Sequence, residues 1–290
     1  MIENYLMHLG ILICVYIILS VSLNIAFGYT GLINLGHIAF FGIGAYTSAL
    51  LNMNGVPWLA SFILAGVASS VMGALLIYGI SRLKGDYLAL ATLGFNFIIY
   101  ALMLNLTGIT RGPLGLVGIP RPELFGVVIG SIFSYLLFAG IVMLLCLAVM
   151  YAIVRSPYGR VLEAIRDDEL GARMLGKNTF KLKTESMMIS AFFAGLAGSL
   201  FAHYITFIDP SAFVLSEIIL VFTIVIVGGI ASFRGSIFAT IFLIILPEAL
   251  RFIALPSSVL GPLRQILYAL ILLLVLLYKP RGLFGRVDIH

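Results

Sequence analysis

Nine apolar runs separated by short polar breaks cover most of the chain, at roughly 9–28, 34–51, 57–81, 88–106, 127–154, 184–205, 214–231, 235–251 and 262–278. A helix needs about 20 apolar residues to cross about 30 Å of hydrocarbon. Each run therefore predicts a spanning helix, and the chain reads as an all-α polytopic integral membrane protein. We expect one transmembrane domain over residues 1–290. It has about eight to nine transmembrane helices, with broken or re-entrant segments and a cytoplasmic coupling helix. If part of residues 28–56 is re-entrant, the count falls to eight and the N-terminus moves inside.

One long charged stretch interrupts the pattern, from Arg155 to Glu185. It carries seven of the 17 Lys and Arg residues and five of the 12 acids. Excess Lys and Arg mark cytoplasmic loops, which sets the orientation. With this loop inside, the inner connections hold Arg82, Lys84, the seven loop cations, Arg234, Lys279, Arg281 and Arg286. The outer connections hold only Arg111, Arg121, Arg251 and Arg264. The C-terminus is then cytoplasmic. Within the loop, Pro157 and Gly159 end the preceding span. Asp167, Asp168 and Glu169 then precede an apolar Leu170–Leu175 stretch that stops at Gly176. Acids at the start and glycine at the stop describe one short capped helix. Its apolar face and basic flanks suit a groove on another protein, or else the lipid surface.

Composition agrees. Apolar residues make up 62% of the chain and charged ones 10%, against about 25% charged in soluble domains. The net charge of +5 is the bias of inner loops beside anionic lipid and not a nucleic-acid signal. No basic leader or small-residue cleavage site precedes the first run, so no cleavable signal peptide is expected. Cys14 and Cys146 fall inside apolar runs, with no metal-ligand or disulfide spacing. No metal or cofactor is expected.

Gly28 to Tyr46, GYTGLINLGHIAFFGIGAY, is the most unusual membrane segment. Glycines 28, 31, 36, 42 and 44 stand among Asn24, Asn34 and His37. Irregular backbone at membrane depth is tolerated only where it is buried in protein or lines a watery cavity. The glycines could serve close helix packing alone. They could also open backbone N–H and C=O groups to the charged ends of a zwitterion. On that second reading the substrate path comprises Asn24, Gly28, Gly31, Asn34, Gly36, His37, Phe40, Gly42, Gly44 and Tyr46. Phe40, Phe41 and Tyr46 would form its apolar walls.

Other features are smaller. Asp86 fits a helix N-cap. Thr107–Pro120, rich in Gly and Pro, is an outer connector or a surface for a soluble partner. Ala191, Ala194, Gly195, Ala197, Gly198 and Ser199 form a face for tight packing. Ser199 and His203, four apart, lack any partner for hydrolytic chemistry. Glu248 and Arg251 should pair across a helix end. Few acids lie in the spans, Asp209 and Glu217 falling near an outer boundary, whereas ion-coupled carriers commonly keep an ionisable group at mid-membrane. No Walker loop GxxxxGK[ST] occurs, so the chain cannot bind ATP by that route, and the scarcity of mid-membrane acids argues for energy arriving from outside the chain.

An ordered set of motifs now stands out. GYTGLINLGH and FFGIGAY lie within Asn24–Tyr46, followed by LTG at 106–108 and GLVGIP at 115–120. SPYGR at 156–160, AIRDDE at 164–169 and AGLAG at 194–198 come next, then GGIAS at 228–232, LPEALR at 246–251 and PRGLFG at 280–285. Together they resemble the membrane permease subunits of branched-chain amino-acid ABC importers, of the LivM type, over nearly the whole chain. The resemblance implies a bacterial inner-membrane subunit that gives leucine, isoleucine or valine a path and performs no chemistry itself. Related importers carry urea, amides or other amino acids, and a stand-alone secondary carrier is the remaining alternative. Implied partners are a second homologous permease in a heterodimer, two ATP-binding subunits, an extracytoplasmic binding protein and membrane lipid. The charged loop becomes the segment that couples to the ATPase, through Arg160, Arg166, Asp167, Gly171, Ala172 and Gly176. The permease pattern of E-A-A, three residues and G falls on Leu170, Gly171, Ala172 and Gly176, with its glutamate and first alanine replaced. Ala231 and Ser236 stand where the family usually has Gly and Pro.

Overall fold

The computed structural model describes residues 2–80, 83, 85–124, 126–250, 257–279 and 281–285. Arg82, Lys84, Arg251, Pro280 and Arg286, used above for orientation, pairing or motifs, lie outside the described residues. The helices in chain order are α1 (Ile2–Asn24), α2 (His37–Met53), α3 (Trp58–Ile80), α4 (Gly85–Asn105), α5 (Thr107–Thr110) and α6 (Ile132–Arg155). They continue as α7 (Pro157–Asp167), α8 (Glu169–Met174), α9 (Thr179–Ile205), α10 (Leu215–Gly228), α11 (Phe233–Leu250) and α12 (Ser257–Tyr278). Among the described residues, seven helical segments are long and apolar enough to cross a membrane. The protein is a multi-pass membrane protein of all-α class. α2, with 17 residues, and α11 run beside these seven.

α1 is the spine. It packs on α6, α9, α10 and α11, and 78% of its most apolar window is buried. Lipid is as apolar as leucine, so close packing has to hold such helices together. α9 supplies that closeness against α2 and α3. A Cβ added at Gly44 would overlap the backbone of Gly195, and one at Gly198 would overlap the Phe41 carbonyl. Ser69 Oγ donates to the Phe40 carbonyl at 2.9 Å across the same seam. The AGLAG face is thus where three helices meet backbone to backbone.

Contacts at the helix ends order the passes. The first turns of α1 lie beside the end of α11, where Tyr5 bonds Glu248. The far end of α1 lies beside the charged loop, where Arg166 bonds Gly28. The C-terminal segment shares that second face, since Leu283 N donates to Val227 O at 2.8 Å. On the opposite face, β1 (Leu116–Val117) pairs antiparallel with β4 (Phe207–Ile208), and β2 (Glu123–Leu124) with β3 (Val127–Val128). Thr107–Pro120 is therefore built around a short ladder as well as turns.

Two local expectations change. Pro157 begins a helix where the sequence reading ends one. Proline suits a first helical turn, and Ser156 caps it by accepting from the Tyr158 and Gly159 amides. The loop accordingly holds two helices, with Gly159, Leu162 and Ile165 of α7 turned inward. Asp86 sits inside α4, one residue past its start at Gly85. It favours that end by its charge rather than as the cap.

Candidate functional site

α1 ends in a π-helical turn over Ile25–Tyr29, and helix ends leave carbonyls without partners. The Phe27 carbonyl takes Gly31 N at 3.0 Å and the Ala26 carbonyl takes Leu32 N at 2.9 Å. Gly28 O takes the Arg166 guanidinium at 2.8 Å. Gly31, at φ +74°, lies against the Arg166 side chain. That left-handed backbone is easy only for glycine. Arg166 is 14% exposed and pairs with Asp167 at 2.8 Å. A cation at a helix C-terminus is favoured by the helix dipole as well as by the hydrogen bond. Two segments singled out separately in the sequence, the glycine-rich turn and the charged loop, thus meet at one junction.

α8 is a separately braced element. Asp168 Oδ1 caps it by accepting Gly171 N at 3.0 Å. Gly176, at φ +77°, closes it in a glycine stop, with Lys177 N donating to Ala172 O at 3.1 Å. Glu169 joins the loop to α9. It receives Lys183 Nζ at 2.6 Å, Arg173 Nη2 at 2.8 Å and Thr179 Oγ1 at 3.1 Å. Burial by itself would raise its pKa, but the Lys183 bond and charge, the Thr179 hydroxyl and Arg173 together hold it below the ordinary value. Leu170, Met174 and Leu175 are exposed at 63%, 88% and 81%, while Ala172 is buried. The apolar face predicted for this helix therefore points away from the protein.

Arg160 lines a cavity of about 480 Å³ on the same face as the junction, with Arg155, Arg234, Glu163, Tyr151 and Ser232. The Arg155 guanidinium lies 5.3 Å from the Tyr151 ring centroid. Sequence reading did not link Arg155 and Arg234. Their only signal is that each sits at the end of an apolar run.

The residues expected along the substrate path are packed against protein. Asn24 Nδ2 donates to Ser236 Oγ at 2.7 Å and to Ser232 O at 3.3 Å, and its Oδ1 accepts Ala231 N at 3.1 Å. Asn34 Oδ1 accepts Gly36 N at 3.0 Å. His37 Nε2 lies 3.0 Å from Ser22 Oγ and 3.2 Å from Leu19 O. Gly28 abuts the Ala231 amide, Gly36 the Thr92 carbonyl, Gly42 the Phe213 ring and Gly44 Gly195. Phe40 stacks at a tilt on Phe95, ring centroids 5.4 Å apart. Tyr46 sits near Phe213, and its hydroxyl is buried without a hydrogen-bond partner among the described residues. Ser199 and His203 are bridged by Ser48, at 2.6 and 2.9 Å. His203 Nδ1 is 2.7 Å from the Pro120 carbonyl, so the trio pins the end of the Thr107–Pro120 connector to α2 and α9.

Glu217 stands in the first turn of α10. At 1.5 Å per residue it lies about 16 Å from the Gly228 end of that helix. Tyr16 of α1 donates to it at 2.5 Å. Glu248 pairs with Arg264 at 3.0 Å. Among the described residues, no three His, Cys, Asp or Glu side chains gather as a metal site.

The family model described as "Branched-chain amino acid transport system / permease component" matches residues 5–276. The chain is 38% identical to the high-affinity branched-chain amino acid transport system permease protein LivM of Salmonella typhimurium, over 93% of this chain and 67% of that one. It is 36% identical to the LivM of Escherichia coli K12, over 98% of this chain and 71% of the other. It is 27% identical to the LivH permease of Escherichia coli K12, over 95% and 92%. No solved structure matches. A π-ended first helix clasped by a charged loop, in an all-helical membrane fold, is thus found in a chain that belongs to the family of branched-chain amino acid transport system permease components.

Proposed function

We propose that this chain is one permease subunit of an ABC importer in the bacterial inner membrane. It gives branched-chain amino acids a path and carries out no chemistry of its own. ATP hydrolysis takes place in two partner subunits, which grip α7 and α8 from the cytoplasm. A second homologous permease completes the channel, and an extracytoplasmic binding protein delivers the solute. The loop and the C-terminal segment then face the cytoplasm. The names of the relatives support the substrate class, and the excess of cations in the loop supports the sidedness.

The observation that carries the coupling role is the Arg166–Gly28 bond. A pull on α7 reaches the end of α1 through one guanidinium, and α1 packs on four other long helices. The glycine-rich turn that follows α1 is packed backbone to backbone, so it shifts as a unit. On this reading Asn24, Gly28, Gly31, Asn34, Gly36, His37, Phe40, Gly42, Gly44 and Tyr46 form the moving frame beside the path. Arg160, Asp167, Gly171, Ala172 and Gly176 shape the surface that is gripped. Alternating access then follows from rigid-body swings of packed helices.

Arg166→Glu in the reconstituted full complex tests this. Losing a charge-assisted bond worth about 1.5–3 kcal/mol should lower leucine uptake per ATP hydrolysed by about tenfold or more. Unchanged coupling in that variant, with the complex assembled, removes the role assigned to the junction.

A further inference from the structure

In the outer half of the helix bundle, α1, α10, α11 and α12 enclose a cavity of about 300 Å³. Its polar wall is made of Tyr16, Glu217, Glu248, Arg264, Gln265 and Tyr268. Leu9, Leu12, Leu220 and Ile244 supply an apolar wall. Ionisable side chains inside a membrane are costly and generally face a cavity or one another. Here both signs of charge line one space. Arg264 binds Glu248 through Nη2, while its Nε is buried without a hydrogen-bond partner among the described residues. A guanidinium lining a cavity is suited to a planar carboxylate. On another wall, the Glu217 carboxylate accepts one O–H, from Tyr16. Its remaining lone pairs are suited to an ammonium group.

We propose that this cavity is a subsite for a zwitterionic amino acid. The α-carboxylate lies on Arg264, the α-ammonium on Glu217, and an aliphatic side chain on the leucine wall. The volume is at the lower end for small-molecule pockets, which fits a single amino acid and excludes a peptide. Among the described residues the wall carries two carboxylates and one guanidinium. A zwitterion satisfies both signs and adds no net charge in low-dielectric surroundings. The site also explains how the charged loop reaches solute. Tyr16, which positions Glu217, stands on the helix whose inner end Arg166 holds. A shift of α1 therefore moves one side of the subsite against α10 and α12. Tyr16 is a positioning residue here, and Glu217 and Arg264 are the binding groups.

The proposal rests on the reading of the chain as an amino-acid permease, and uptake by the complete reconstituted complex separates the two. If the wild-type complex does not take up leucine, the permease reading itself fails. If it does, Glu217→Gln should raise KM for leucine by about tenfold or more. Arg264→Ala should do the same, and Arg264→Lys should recover part of the loss. Wild-type KM in Glu217→Gln and Arg264→Ala overturns the subsite and leaves the permease reading standing. A second measurement does not depend on turnover. S216C places a thiol in the cavity wall, where an impermeant maleimide added from outside should label it. Leucine should protect the thiol, whereas 4-methylpentanoate and 3-methylbutylamine, each lacking one charged end, should not. Absence of labelling, protection by sodium alone, or equal protection by the single-charge analogues overturns the proposal.

Discussion

Asn24 shows how one polar side chain can join two distant parts of a membrane fold. Its amide satisfies groups on Ser232, Ser236 and Ala231, and so fastens the end of α1 to the turn between α10 and α11. Ala231 is held there at φ +57°, a backbone that costs a non-glycine residue about 1–2 kcal/mol. The Asn24 bond to its amide is what keeps it there. Asn24→Ala would leave that amide and the Ser236 hydroxyl short of partners in a buried place. We expect a loss of about 2–3 kcal/mol of stability, seen as a lower midpoint in thermal unfolding of the detergent-solubilised protein. An unchanged midpoint would show that the bonds hold nothing.

At the scale of elements, α8 depends on its caps and on Glu169 more than on its length of six residues. Isolated helices so short do not persist in water. The depressed pKa of Glu169 carries a sign. Its carboxylate is stabilised in the folded loop, so its contribution is complete above the ordinary carboxylate value of 4.5 and lost as pH falls through the lower, folded value. A spin label at K177C should therefore stay immobile at neutral pH and gain mobility only under acidic conditions below that range. Glu169→Gln should make the label mobile at neutral pH as well. A label equally immobile in both proteins at all pH values would remove Glu169 from the bracing of the loop.

For the whole molecule, the helix-end contacts put the start of α1 and the C-terminal segment at opposite ends of the bundle. The start of α1 stands with Glu248 and Arg264, and its end stands with Arg166 and the C-terminal segment. Residues 28–56 contain no Lys, Arg, Asp or Glu, so charge counting does not reach them. The three-dimensional contacts do: α2 leaves the Arg166 junction near His37 and brings Ser48 to His203 beside Pro120 at the opposite end of the bundle. An N-terminal tag and a C-terminal tag should accordingly be accessible from opposite sides of sealed vesicles. Both tags on one side would contradict the placement of the two chain ends at opposite ends of the bundle.

Apolar run length, cation bias and local capping residues are properties of contiguous sequence, and they were enough for the helical class, the charged loop, the acidic start of α8 and the Gly176 stop. The family motifs were legible for the same reason, because each is a short string. Partner choice is not contiguous. That Arg166 would take Gly28, that Asn24 would hold Ala231, and that Glu217 would meet Tyr16 across 201 residues depends on which helices stand beside which. In a bilayer that arrangement is set by small residues meeting backbone to backbone, as at Gly44 with Gly195, and not by a difference in hydrophobicity between helix and lipid. Tertiary packing alone decided that the glycines of residues 28–44 would be seams and that the polar cavity would lie at the other end of α1.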